Sequence, residues 1–174
     1  MTPAREGDGV RALIVDDSKP IRSIVARVLR DLRFDCAEAA NGAEALTALE
    51  AGPRPDLITV NWHMPVMDGI ELVRRIRGTP SLRRLKVLMV STEGDADRVA
   101  TAIAAGADDF LTKPVNTPEL VARVRSLVKL RKARLEVFQQ RDALQKELAD
   151  RKRIEQELEL ARDQAISANR TKSA

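Results

Sequence analysis

The chain is short of aromatic residues, with one tryptophan, three phenylalanines and no tyrosine, and it carries a single cysteine and a single histidine. One cysteine excludes an internal disulfide framework; Cys36 falls within an expected strand, where a buried, inert thiol is the expected state, and a reducing cytoplasm fits. One histidine, His63, excludes His-rich metal chelation. Residues 1–11 lack the apolar core of a signal peptide, and no run approaches the ~18 uninterrupted apolar residues of a membrane span. The expectation is a soluble cytoplasmic protein without a membrane partner. Proline and glycine are absent after Pro118, so nothing in the last third of the chain interrupts a helix.

What is present is a 44% hydrophobic composition over 174 residues, enough for one ordinary globular domain and an appendage. The net charge of +4 is unevenly placed. Residues 1–117 hold 16 Lys and Arg against 17 Asp and Glu, and residues 118–174 hold 14 against 9. A basic tail suggests nucleic acid as one reading. Its cations alternate with acids, however, as in Arg151-Lys152-Arg153 followed by Glu155, Glu157 and Glu159, and Phe138 is its only aromatic residue. That pattern describes the solvated face of a long helix, and a nucleic-acid partner is not expected.

Five short apolar runs alternate with helical patterns. Arg11-Ala12-Leu13-Ile14-Val15 ends at Asp16-Asp17, and Ser18 then caps a helix with Pro20 near its start and an apolar face at Ile21, Ile24, Val25, Val28 and Leu32. Residues 34–39 form a weak second strand punctuated by Asn41-Gly42. Ala43 to Leu49 forms a short helix with Ala45, Leu46 and Leu49 inward, stopped by Gly52-Pro53-Arg54-Pro55. Residues 57–61 form a buried central strand, followed by the Pro65 loop, the turn-and-cap pair Asp68-Gly69 and a helix marked by Ile70, Leu72, Val73 and Ile76. The fourth strand is 86–91, the fourth helix is capped by Asp95 and closed by Gly106, and a short fifth strand, 109–112, runs into Lys113-Pro114. This alternation predicts a five-stranded parallel, doubly wound α/β sheet with right-handed crossovers.

Thr117-Pro118-Glu119 starts a helix of roughly fifty residues. At 1.5 Å per residue it would extend roughly 75 Å, against ~26 Å across a domain of this size. Leu130, Val137, Leu144, Arg151, Leu158 and Ala165 recur every seven residues, with Leu148 and then Ile154, Ala161 and Ala168 as companions. Arg151 places a charge in this seam, and the companion register shifts between Leu148 and Ile154 as a stutter requires. A lone helix exposing that stripe is marginal, so residues 118–170 are expected to form a parallel dimeric coiled coil. The organisation expected is a domain over 10–130, the extended helix over 118–170, and disorder at 1–9 and 171–174.

In such a sheet Asp16, Asp17, Asn61, Ser91 and Lys113 all fall at carboxyl ends of strands, along one edge, where open α/β sheets bind ligands. Paired carboxylates beside a carboxamide form a hard oxygen site suited to Mg²⁺ with waters retained. An ammonium and a hydroxyl supply what a phosphoryl group needs on its other side. Each feature alone is weak; five in order, each at a strand end, are specific.

These residues, with Trp62-His63-Met64-Pro65-Val66-Met67-Asp68-Gly69, resemble the phosphorylation site of receiver domains of two-component signalling, close to the chemotaxis-type response regulators, over residues 10 to about 130. The resemblance implies a flavodoxin-like fold, Asp16 and Asp17 as metal-site acids, and the backbone carbonyl of His63 as a further ligand. It also implies that Lys113 contacts the phosphoryl group, that the peptide before Pro114 is cis, and that Ser91 and Phe110 form a switch pair. His63 contributes only its backbone in that family. Thr92 departs from the small residue usual there, which slows access to the pocket. Asn61 departs more seriously, because the family carries the phosphoacceptor aspartate at this position. A carboxamide is a poor nucleophile and cannot form an acyl phosphate; it also removes a negative charge, so Mg²⁺ is expected to bind more weakly, although the amide oxygen can still coordinate.

Residues 159–174 resemble the segment entering the dimerisation helix of sensor histidine kinases; similar coiled coils also lead into diguanylate cyclase or sensory domains. The expected function is therefore a phosphorelay receiver that controls an attached output, a histidine kinase by this resemblance, through a dimeric coiled coil, with an upstream histidine kinase or phosphotransfer protein as partner. With Asn61 at the acceptor position the chain is expected to resist phosphorylation. It is either a substituted, phosphorylation-null receiver, favoured by the otherwise intact pocket, or a degenerate pseudo-receiver acting as a binding and dimerisation module. No kinase catalytic domain lies within these residues.

Overall fold

The computed structural model describes residues 9–92 and 94–172, without the side chains of 130–135 and 170–172. Five strands alternate with five helices: β1 (Arg11–Val15), α1 (Lys19–Asp31), β2 (Asp35–Ala39), α2 (Gly42–Ala51), β3 (Leu57–Asn61), α3 (Gly69–Gly78), β4 (Lys86–Ser91), α4 (Ala96–Ala105), β5 (Asp109–Thr112) and α5 (Thr117–Lys172). All strand pairs are parallel, and the sheet order is β2-β1-β3-β4-β5. The order reverses between β1 and β3, which places the crevice of the switch point beside the ends of those two strands. This is the five-stranded, flavodoxin-like fold expected.

Side chains alternate across the sheet with the period of two that a pleated strand imposes. Leu13, Val15, Ile58, Val60, Val87 and Met89 pack with α2, α3 and α4 on one face. Ala12, Ile14, Leu57, Leu88, Val90 and Leu111 pack on the other face with Val25 and Leu29 of α1 and with Leu120, Val124, Leu127 and Val128 of α5. Leu57, Ile58, Leu72 and Leu88 have no exposed surface, and each such side chain contributes roughly 1.5–3 kcal/mol relative to exposure. β3 is buried at all five positions because helices cover both faces.

The helix caps follow the sequence at Asp68 and Asp95, and Asn41, expected only to punctuate the second strand, caps α2; each accepts a hydrogen bond from the backbone N–H three residues on. Gly106 closes α4 in the left-handed region, at φ 115°. Ser18 occupies the N-cap of α1 without making the expected side-chain bond; its own N–H instead donates to Asp16 Oδ1 at 2.9 Å. The inward face of α1 is also rotated from the expected one. Ala26 and Leu29 are fully buried, while Ile24 is 37% exposed, since the sheet meets the helix closer to the Val25-Leu29 row than a count of large apolar residues suggests. In α4 the buried residue is Ala102, and Ile103 is 46% exposed. A short 3-10 turn, Pro80–Leu82, follows α3 and buries Leu82.

The chain divides into two compact units, 1–131 and 132–174. The described part of the second is helical up to Lys172. Its Val137, Leu144, Leu148, Ile154 and Leu158 side chains are all more than half exposed. Leu130 lies outside the described side chains, and of the disorder expected at the termini, residues 1–8 and 173–174 lie outside the described residues.

Candidate functional site

Asp16 and Asp17 follow the last residue of β1, Asn61 is the last residue of β3, Ser91 the last of β4, and Lys113 follows β5. Parallel strands present their carboxyl ends on one edge, and side-chain contacts join four of these five residues there. Lys113 Nζ donates to Asp16 Oδ2 at 2.7 Å and to Asn61 Oδ1 at 3.2 Å. Asn61 Nδ2 donates to Asp17 Oδ1 at 2.9 Å and to the backbone carbonyl of His63 at 2.8 Å. Asp16 and Asn61 are buried, and Asp17 lies exposed at the mouth.

Local structure fixes each group. The Arg22 guanidinium, one turn into α1, donates to the Asp16 carbonyl at 2.7 Å and so ties the loop after β1 to the helix. Gly69 lets α3 start directly against the end of β3: its N–H donates to the Trp62 carbonyl at 2.8 Å, and a Cβ there would collide with the Asn61 carbonyl oxygen. Ser91 is fully buried, and its carbonyl accepts from the Lys113 N–H at 2.8 Å. The Lys113–Pro114 peptide is cis. Phe110 is 5% exposed, with its ring in the core on the α2–α4 face. Thr92 is exposed in the bend after β4.

The His63 ring packs beside Trp62 and Arg98. It lies 6.1 Å from the Trp62 ring, inclined at 28°, and the Arg98 guanidinium of α4 sits 5.3 Å over Trp62, with Nη1 3.5 Å from His63 Nε2. Arg22 and Arg98 are the residues that sequence reasoning did not select. For Arg22 a signal exists: the first turn of α1 carries no acid, although acids favour that position, so a nearby cation follows the pocket and not the helix dipole. For Arg98 no local signal exists. A cavity of about 310 Å³ lined by Leu13, Ala37, Leu49 and Pro53 lies at the amino ends of β1 and β2, away from the acidic pocket.

Receiver domains generally use Mg²⁺ at this edge. Asp16, Asp17 and the His63 carbonyl suit such an ion in kind, as hard oxygen donors. In charge and availability the set does not fit. Asp16 is engaged through both oxygens, by the Ser18 N–H and by Lys113. Asp17 Oδ1 and the His63 carbonyl both accept from Asn61, whose own oxygen accepts from Lys113. Among the described residues no three His, Cys, Asp or Glu side chains are placed to hold an ion.

Residues 12–125 match the family model described as the response regulator receiver domain. The chain is 37% identical over 119 residues to the chemotaxis protein CheY of Pseudomonas aeruginosa, covering 68% of this chain and 95% of that protein. It is 36% identical over 121 residues to the phosphate regulon transcriptional regulatory protein PhoB of the same organism, covering 70% of this chain and spanning about half, 52%, of that longer relative. Its structure is similar to the signal receiver domain of a signal transduction histidine kinase from Syntrophus aciditrophicus, with a TM-score of 0.64 and 34% identity over 70% of this chain and 91% of that one. The doubly wound sheet, the two acids after β1, the lysine after β5 and these similarities agree, and the chain belongs to the response-regulator receiver family of two-component signalling.

Proposed function

We propose that this chain is a receiver module that cannot accept a phosphoryl group and that controls an attached output through pairing of its long helix. The observation that carries the proposal is Asn61, which ends β3 inside the ring of Asp16, Asp17 and Lys113. The lone pair of its amide nitrogen is delocalised, and its oxygen is neutral, so it lacks the carboxylate nucleophile that an acyl phosphate requires. Around it stand the residues that the receiver resemblance names as acids (Asp16, Asp17), cation (Lys113) and switch pair (Ser91, Phe110), which supports a receiver substituted at one residue. The parent module would be served by an upstream histidine kinase or phosphotransfer protein in the cytoplasm. Among the described residues no helix is long and apolar enough to cross a membrane.

The exposed apolar residues of the second unit support the pairing. A seam of Val137, Leu144, Leu148, Ile154 and Leu158 left in water is unfavourable by roughly 25 cal/mol for each Å² of apolar surface that a second helix could cover. Charge complementarity supports a parallel arrangement: with Leu158 and Ala165 in the seam, Glu157 of one copy faces Arg162 of the other across flanking positions. Imperfect seams of this kind suit a helix pair that shifts between two registers, the means by which a receiver would pass its state to a histidine kinase or another output.

The second reading is a phosphorylation-independent docking module, favoured by the complete set of hydrogen bonds around the Asn61 carboxamide. Intact-mass measurement after incubation with acetyl phosphate and Mg²⁺ separates the two. The chain as it stands should gain no aspartyl phosphate under either reading, and one phosphoryl group per chain would overturn both. Asn61→Asp should gain one if the site is merely substituted, and none if the pocket has become a docking module.

A further inference from the structure

We propose that the Asn61 carboxamide takes the place of the metal ion, so that this pocket is a closed, metal-independent clasp and not a weakened Mg²⁺ site. The inference rests on reading the carboxyl edge as the receiver's acidic pocket, and it concerns what holds that pocket together.

The argument starts from hydrogen-bonding capacity. An ionised carboxylate only accepts, whereas a carboxamide accepts through its oxygen and donates two N–H groups from its nitrogen. The end of β3 faces acceptors on one side, Asp17 Oδ1 and the His63 carbonyl, and a donor on the other, Lys113 Nζ. Asn61 meets both demands. Its two N–H groups go to Asp17 and His63, at 2.9 and 2.8 Å, and its oxygen accepts from Lys113 at 3.2 Å. No carboxylate can do this. An aspartate at position 61 would bring a third set of acceptor oxygens against the Asp17 carboxylate and the His63 carbonyl, an arrangement that calls for a bound cation or a proton held on one of the carboxylates. The nitrogen of Asn61 bridges those two oxygens itself.

The same contacts remove the ion's attraction. Asp16 is neutralised by Lys113 and further engaged by the Ser18 N–H, which leaves Asp17 without a cationic partner among the described residues, and its Oδ1 is committed to Asn61. A divalent cation entering here would have to break two hydrogen bonds of a buried carboxamide and would gain the field of a single net negative charge. Mg²⁺ loses its own water reluctantly and needs near-ideal octahedral geometry. The clasp therefore excludes it at the millimolar concentrations that fill an ordinary acidic site.

The test uses the full chain and its Asn61→Asp and Asn61→Ala variants, with thermal unfolding and titration calorimetry in EDTA and against rising MgCl₂. The parent chain should give no binding heat and a midpoint independent of Mg²⁺. Asn61→Asp should unfold at a lower temperature than the parent in EDTA, recover saturably with Mg²⁺, and bind it at least about tenfold more tightly, because a unit charge close to the ion is restored. Asn61→Ala, which removes the donor without adding charge, should lose stability and recover nothing from Mg²⁺. Should a variant fail to fold, the parent alone decides: the Asn61 side-chain amide protons should exchange slowly with solvent, and their NMR signals should not move with Mg²⁺. A saturable Mg²⁺ shift in the parent within tenfold of Asn61→Asp, or fast-exchanging Asn61 amide protons, overturns the clasp. The phosphorylation reading fails separately, if Asn61→Asp binds Mg²⁺ yet takes no phosphoryl group from acetyl phosphate.

Discussion

Replacing Lys113 with methionine removes the cation paired with Asp16 while keeping a chain of similar length, so the cost should isolate charge from packing. Lys113 Nζ and Asp16 Oδ2 are 2.7 Å apart, and their side chains are 11% and 4% exposed. Breaking a buried pair by deleting one partner costs about 3–5 kcal/mol, because the surviving charge is left without compensation. Asp16 retains the hydrogen bond from the Ser18 N–H, which points to the lower end, about 3 kcal/mol. A folded unit of this size is stable by roughly 6–18 kcal/mol, so the loss is large but survivable. The assay is urea unfolding followed by fluorescence of Trp62, the single tryptophan, which is 8% exposed within the receiver unit and so reports its unfolding and not that of residues 132–174. The midpoint should fall with the slope unchanged. Adding Asp16→Asn to Lys113→Met should return part of the loss, with a coupling of about 1–3 kcal/mol, because both charges are then gone. A loss below about 1 kcal/mol for Lys113→Met, or strict additivity in the double variant, would refute the idea that this pair is a buried, uncompensated-when-broken charge.

Val66 adopts φ 70° while 84% exposed, a conformation that penalises a β-branched residue; Val66→Asn should stabilise the receiver unit by about 1 kcal/mol and Val66→Gly by less, since glycine loses more entropy on folding. Equal or lower unfolding midpoints in both variants would dismiss strain at this turn. Burial pushes the Cys36 thiol up from 9.0 to about 11, with the Arg30 charge partly opposing it and Asp35 and Glu38 adding to it. The thiolate is thus disfavoured in the folded state: this contribution to stability is complete below about pH 9 and is lost as the pH rises through about 11. At pH 8 a disulfide reagent should label native Cys36 roughly 100-fold more slowly than urea-unfolded chain, and a difference under tenfold would contradict the shift.

The sequence alone determined the elements and their order, because these depend on near neighbours. The apolar runs at 11–15, 57–61 and 86–91, the caps at Asp68 and Asp95, and the glycine that closes α4 are each legible within a few residues. It also placed two acids, an amide, a hydroxyl and an amine at strand ends, and the parallel alternation put those ends on one edge. The sheet order, by contrast, is a tertiary decision: nothing near β1 says that β2 and β3 flank it. So is the face that α1 buries, where Leu29 displaced Ile24. The clasp belongs to the same class. Asp16 and Lys113 are 97 residues apart, and Asp17 and Asn61 are 44 apart. Which atom of the carboxamide meets which partner follows from donors and acceptors that only packing brings within 3 Å or so of each other. Composition could say that a charge was missing at position 61; only the assembled pocket showed its amide nitrogen donating to Asp17 and to the His63 carbonyl.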